Sequence, residues 1–162
     1  MNLIVIFETL ILLALANGAP VVAKVLFGNR FAQPIDFGLH WFDGHRLFGS
    51  SKTFRGILAS VFACGAGGML LGIEPNITVA VATAAMLGDL LSSFIKRRLA
   101  IEPSGQAIAL DYIPEALFPA LLVRYLRGIN LVDVAVIVVV FWILAAGLSP
   151  VLFRLGIRDR PY

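Results

Sequence analysis

Two polar groups interrupt an otherwise apolar sequence, and each combines residue types that handle phosphate. The first reads Pro34-Ile35-Asp36-Phe37-Gly38, then Asp43-Gly44-His45-Arg46, then Gly49-Ser50-Ser51-Lys52-Thr53-Phe54-Arg55-Gly56. Glycine and serine let backbone N–H groups approach an anion, Lys52 and Arg55 bring positive charge, and Thr53 brings a hydroxyl. A helix opening at Gly56 would put the string at a helix N-terminus, where phosphates bind readily. It is not a P-loop: Gly44 to Lys52 is too long for G-x-x-x-x-G-K-[ST], and no strand precedes it. A basic loop flanking a membrane span would carry the same residues.

The second group is Gly88-Asp89, Ser92-Ser93-Phe94-Ile95-Lys96-Arg97-Arg98, then Asp111 and Glu115. On a helix Asp89, Ser93 and Lys96 fall along one face, and Asp111 and Glu115, four apart, share another. Carboxylates beside hydroxyls suit Mg²⁺, whose octahedron is completed by bound phosphates. The bland alternative is a salt bridge between Asp89 and a nearby Lys or Arg. Read together, a cationic Gly/Ser loop and an acidic metal site fit a nucleoside triphosphate with Mg²⁺, approached by an anionic lipid headgroup from the membrane plane.

The elements that must position these groups are membrane helices. The 162-residue chain is 59% hydrophobic and 14% charged, with a mean hydropathy of +0.91; soluble domains are roughly 45–50% apolar and about 25% charged. Lipid must be the solvent for much of the surface. A span needs roughly 20 apolar residues. Residues 3–26 (interrupted at Asn17-Gly18-Ala19-Pro20), 56–72, 77–95, 113–126 and 132–153 qualify, the fourth being short and carrying Pro114 and Pro119. The expected fold is all-α: one polytopic membrane domain over 1–162, about five transmembrane helices, and loops at about 27–55 and 96–112.

Lys and Arg placement orients it. Lys24, Arg30, Arg46, Lys52, Arg55, Lys96, Arg97, Arg98, Arg154, Arg158 and Arg160 fall on one side, eleven of the 13, and only Arg124 and Arg127 on the other. The amino terminus is expected outside and the carboxyl terminus in the cytoplasm. These charges read as topology signals, so no nucleic-acid partner is expected. No positive charge precedes the 3–16 run, so it reads as a retained span and not a cleaved signal peptide. Cys64 sits in an apolar run and is expected to pack. Glu8 is expected to pair or snorkel near the outer face. His40 and His45 lack further ligands for zinc. The small residues Ala63, Gly65, Ala66, Gly67 and Gly68 suit close helix contact.

At these residues the sequence resembles the CTP-dependent cytidylyltransferases of phospholipid synthesis. Ser51-Lys52-Thr53-Phe54-Arg55-Gly56 is similar to their S-x-K-T-x-x-G signature, Gly88 to Arg97 to G-D-x-x-x-S-x-x-K-R, and Leu110-Asp111 to the following L-D. It resembles most the CDP-archaeol synthase branch, whose N-x-x-P, P-I-D-x-G, D-G-x-R, G-x-x-K-T-x-R-G and S-F-I-K-R-R-L occur in order from Asn17 to Leu99. Two departures stand out. Family members carry a second Asp three residues after the L-D Asp, where this chain has Glu115 four residues on. The longer Gly- and His-rich stretch of CDP-diacylglycerol synthases is absent.

The resemblance implies that CTP and a membrane lipid phosphate, an archaeal-type ether glycerol phosphate or a relative, give a CDP-lipid and pyrophosphate. It implies Mg²⁺ on Asp89 and Asp111, with Glu115 a further candidate, and nucleotide phosphates on Ser51, Lys52, Thr53 and Arg55. Lys96 and Arg97 would meet the lipid phosphate or pyrophosphate, and Asn17 and Asp43 are secondary candidates. Asp43-Gly44 and Arg46 also echo part of the CDP-alcohol phosphatidyltransferase motif, but its Ala and following carboxylates are missing. A small transporter or scaffold is the other class, weakened because the polar groups gather at one face and no inverted repeat is visible.

Overall fold

The computed structural model describes residues 1–102, 105, 107–154 and 156. Five helices follow in order: α1 (Leu3–Phe27), α2 (Phe54–Leu70), α3 (Pro75–Arg98), α4 (Ile108–Arg127) and α5 (Leu131–Arg154). Among the described residues there is no strand beyond two isolated bridges, Pro34 with Thr53 and His40 with Arg46. The all-α expectation holds. α1, α3 and α5 are each long and apolar enough to cross a membrane. α2, at 17 residues, is shorter, and α4 has 20.

Local chemistry fixes the helix ends. Thr53 caps α2 by accepting from the Gly56 N–H (3.2 Å), so that helix opens two residues before Gly56. Pro75 starts α3, where a missing N–H costs nothing. Gly128 closes α4 in the left-handed region. Asn130 and Asp133 exchange hydrogen bonds at the start of α5: the Asp133 N–H donates to Asn130 Oδ1 (2.8 Å) and the Asn130 N–H to Asp133 Oδ2 (3.3 Å), a capping box readable in the sequence but not expected from it.

Two boundaries differ from expectation. α1 is not interrupted at 17–20; it runs through Pro20, and Asn17 donates its side-chain amide to the Leu13 carbonyl (3.1 Å). Within a helical bundle, neighbours and side chains compensate the backbone bond a proline removes. α4 begins at Ile108 and not near 113, so Asp111 and Glu115 lie on the helix itself. The Asp111 carboxylate helps to start it by accepting from the Ala107 N–H (2.8 Å). Of the basic residues used for orientation, Arg158 and Arg160 lie outside the described residues.

Small side chains bring the helices close. α3 packs most extensively on α4, and α1 on α2. Ala82, Ala85, Ala116 and Ala120 are fully buried along the first pair. On α2, a Cβ at Gly68 would stand 2.9 Å from Thr78 Cβ, and one at Gly67 would displace the tip of Leu15, as the small-residue run suggested. Cys64 is buried, its thiol toward the Leu12 carbonyl (3.2 Å). The outer faces of α1 and α5 expose Phe7, Val22, Ile143, Leu144 and Leu148, an apolar surface that lipid must cover. Glu8 pairs with Arg127 (3.1 Å), tying α1 to the end of α4.

The 28–53 connection is folded around one carboxylate. Buried Asp36 accepts from the backbone N–H groups of Gly38 (3.0 Å), Phe48 (3.2 Å) and Gly49 (2.9 Å) and from the Arg46 guanidinium. Burial alone would raise its pKa, but Arg46 and the three N–H groups outweigh it and lower it to about 2. Asp36 belongs to the P-I-D-x-G string, whose residue types alone do not reveal this role. Its hydrogen bonds tie the 38 and 48–49 backbone together just ahead of the Ser50–Arg55 string.

Candidate active site

The ends of α1, α2, α3 and α4, the segments before α2 and α4, and Phe141 and Ala145 of α5 line an open cavity of about 520 Å³. Clefts of this size hold small-molecule ligands. Asn17 and Lys24 come from α1. Ser51, Lys52, Thr53 and Arg55 come from the capped start of α2, Asp89, Ser93, Lys96 and Arg97 from one face of α3, and Asp111 and Glu115 from one face of α4. Residues far apart in sequence thus meet because α3 and α4 lie side by side. Ten of the eleven expected site residues line this cavity. Asp43 does not: it sits in the turn at 41–44, where its carboxylate binds Arg98 Nε (2.9 Å) and caps the His45 N–H (3.0 Å). Asp43 therefore lies outside the cavity in this structure, paired with Arg98 at the end of α3.

Glycine 88 explains the approach of the two acidic helices. A Cβ there would stand 2.2 Å from the Pro114 carbonyl oxygen and 2.8 Å from the Glu115 nitrogen. Only a hydrogen fits, and the next residue, Asp89, is thereby brought within hydrogen-bonding reach of Glu115. Asp89 accepts from Lys52 Nζ (2.5 Å to Oδ1). Asp111 is ion-paired with Lys96, whose ammonium also reaches the Gly105 carbonyl (3.2 Å). The salt-bridge alternative for Asp89 is therefore present in this structure.

The electrostatics favour an anionic ligand. Five cations (Lys24, Lys52, Arg55, Lys96, Arg97) face three carboxylates. Burial would depress the Lys52 ammonium pKa, but Asp89, Glu115 and Asp111 together raise it above the ordinary lysine value, so Lys52 is charged. Arg97 is 6% exposed, and its Nε has no partner. Arg55 donates to the Gly28 (2.8 Å) and Arg30 (2.6 Å) carbonyls, yet its buried Nε is also unpartnered. Two orphaned guanidinium nitrogens beside a cavity call for acceptor oxygens.

The carboxylates suit Mg²⁺ in a limited way. Among the described residues no three His, Cys, Asp or Glu side chains converge closely enough to hold a metal unaided. Mg²⁺ more often uses one or two carboxylates plus substrate phosphates, and hard carboxylate oxygens next to a polyphosphate-sized cationic cavity are that donor set. The residues fit the ion as a companion of a nucleotide.

Comparison with known proteins points the same way. The family model described as CarS-like, CDP-archaeol synthase, matches residues 1–162. CDP-archaeol synthase of Pyrobaculum calidifontis is 33% identical over 156 residues, covering 91% of this chain and 90% of that protein. That of Sulfurisphaera tokodaii is 36% identical, covering 91% and 89%. A solved structure described as an intramembrane enzyme for archaeal membrane lipids biosynthesis superposes with a TM-score of 0.66 at 28% identity, covering 85% of this chain and 90% of that one.

Proposed function

The chain belongs to the CDP-archaeol synthase family of CTP-dependent cytidylyltransferases, and we propose that its cavity joins CTP to a membrane lipid phosphate with Mg²⁺, at the cytoplasmic end of five membrane-crossing helices. An oxygen of the lipid phosphate attacks the α-phosphorus of CTP. The bond between that phosphorus and the bridging oxygen to the β-phosphate breaks, releasing pyrophosphate and leaving CMP on the lipid. Such a reaction asks the protein for positioning and charge stabilisation rather than covalent chemistry.

Each residue follows from its place in the cavity. Lys52 and Arg55, with Ser51 and Thr53 at the α2 N-terminus, grip the nucleotide phosphates. Arg97 offers its unpartnered Nε, and Lys96 its ammonium, to the lipid phosphate or to departing pyrophosphate. Asn17, one helix away, borders the same space. Asp89 and Asp111 would hold Mg²⁺, with Glu115 beside Asp89. The ion supplies neutralisation of charge on the attacked and leaving phosphates. When ligands arrive, Lys52 and Lys96 are free to turn from their carboxylates to phosphate oxygens. The cytoplasmic placement is supported by the basic residues, of which Arg46, Lys52, Arg55 and Lys96 to Arg98 all lie at the cavity end.

The observation that carries this reading is the convergence of Lys52–Asp89 and Lys96–Asp111 with two orphaned arginine nitrogens in one cavity. Its test is turnover of labelled CTP by the bilayer-reconstituted protein with Mg²⁺, offering ether glycerol phosphates and phosphatidic acid in parallel. CDP-lipid and pyrophosphate should appear in equal amounts. Asp89→Asn and Asp111→Asn, which keep shape and insertion, should each lower turnover by about 10²-fold or more. Full activity in either variant defeats the metal assignment.

A further inference from the structure

Residues 39–47 form a small hairpin that the catalytic reading does not use. The Trp41 N–H donates to the His45 carbonyl (2.8 Å) and the Leu47 N–H to the Leu39 carbonyl (3.0 Å), and Gly44 turns the chain at φ +78°. The tip displays Phe42, which is 97% exposed, with Trp41 beside it at 5.1 Å between ring centroids. Here the backbone is fastened to the end of α3: Arg98 binds Asp43 and donates to the Arg46 carbonyl (2.7 Å), and Trp41 packs edge-on against Phe94 (5.6 Å). The phenyl ring is held out.

We propose that this hairpin is an interfacial anchor, with Phe42 and Trp41 seated in the headgroup–acyl boundary of the leaflet nearest the cavity. Two columns of exposed apolar residues argue for lipid as the occupant. On α3, exposed Leu87 and Leu91 are followed at helical spacing by half-buried Phe94, against which Trp41 packs. On α2, Phe54, Leu58 and Phe62 are spaced by four, and Phe37 packs tilted against Phe54 at 5.4 Å. The loop rings therefore continue surfaces that lipid already covers in an integral membrane protein. Arg46 and Arg98 flank the tip, and Trp with basic neighbours is the composition of a membrane interface. Because Asp36 ties the same loop to Gly49, the anchor also holds the Ser51–Arg55 string at headgroup height. That consequence for a lipid acceptor rests on the cytidylyltransferase reading; the anchor itself does not.

The chain has two tryptophans, so Trp142→Phe leaves Trp41 as the sole reporter. The full chain is reconstituted in vesicles containing lipids nitroxide-labelled near the headgroup or at the chain end. Trp41 should be quenched strongly by the shallow label and weakly by the deep label and by aqueous iodide. Phe42→Asp in that background should cut the shallow quenching by about half and raise iodide quenching. Strong iodide quenching with no effect of either lipid label overturns the proposal. So does protection from all three quenchers that grows with the protein-to-lipid ratio, which would assign the tip to a second copy of the chain.

Discussion

Replacing Gly88 with Ala adds one methyl group where the backbone of α4 passes against α3. The new carbon would lie 2.2 Å from the Pro114 oxygen, 2.5 Å from its carbonyl carbon and 2.8 Å from the Glu115 nitrogen. All three are backbone atoms, so no rotamer change can relieve the clash. Restoring ordinary contact requires the helices to part by about 1 Å, an overpacking cost of about 1–3 kcal/mol. The same displacement separates Asp89 from Glu115 and Asp111, and a shift of about 1 Å in a positioning group costs roughly 10²-fold in rate. Gly65→Ala is the control, because nothing lies within 4 Å of its added carbon; its stability should stay within about 0.5 kcal/mol of the parent. Thermal unfolding in detergent and CTP turnover on a lipid phosphate are measured side by side. Gly88→Ala should lose both Tm and kcat/KM, Gly65→Ala neither. If Gly88→Ala melted lower but turned over normally, the link between helix spacing and the carboxylates would be broken.

Two further outcomes follow from ion pairs outside the cavity. Asp36 has a folded-state pKa of about 2 against the usual 3.8, so its stabilisation is complete above about pH 4 and is lost as pH falls through 2, on the order of 2 kcal/mol. Limited pepsin cleavage of the 28–53 segment should increase as pH falls across that window, and in Asp36→Asn it should be rapid throughout; equal protection in both proteins would remove Asp36 as the organiser. Glu8 and Arg127 are coupled across α1 and α4, so Glu8→Gln and Arg127→Gln should be non-additive in thermal unfolding, with a coupling on the order of 1 kcal/mol. Additive losses would mean that each charge is satisfied independently.

The chemistry was legible in the sequence because it depends on residue type and short-range spacing. Lys52 with Thr53 and Arg55, or Asp89 with Ser93 and Lys96, are fixed in order along one string or one helix face. The long apolar runs likewise require helices, since lipid leaves the backbone no other partners. Helix limits were less readable: Pro20 and the residues before Ile113 look like interruptions locally, and neighbouring helices override them. Asp43, a secondary candidate through the family resemblance, lies outside the cavity and pairs with Arg98 of α3, a contact that no local spacing announces.

By itself, then, the sequence determined that this is an all-helical membrane protein carrying basic Gly/Ser and carboxylate strings, because period, hydropathy and charge are local quantities. Which carboxylate faces which cation was decided only in three dimensions. Lys52 meets Asp89, and Lys96 meets Asp111, through the packing of α3 against α4 and the loop wrapped on Asp36. Gly88 shows the division well: its identity is written in the sequence, but its reason is a carbonyl on another helix, 26 residues away along the chain.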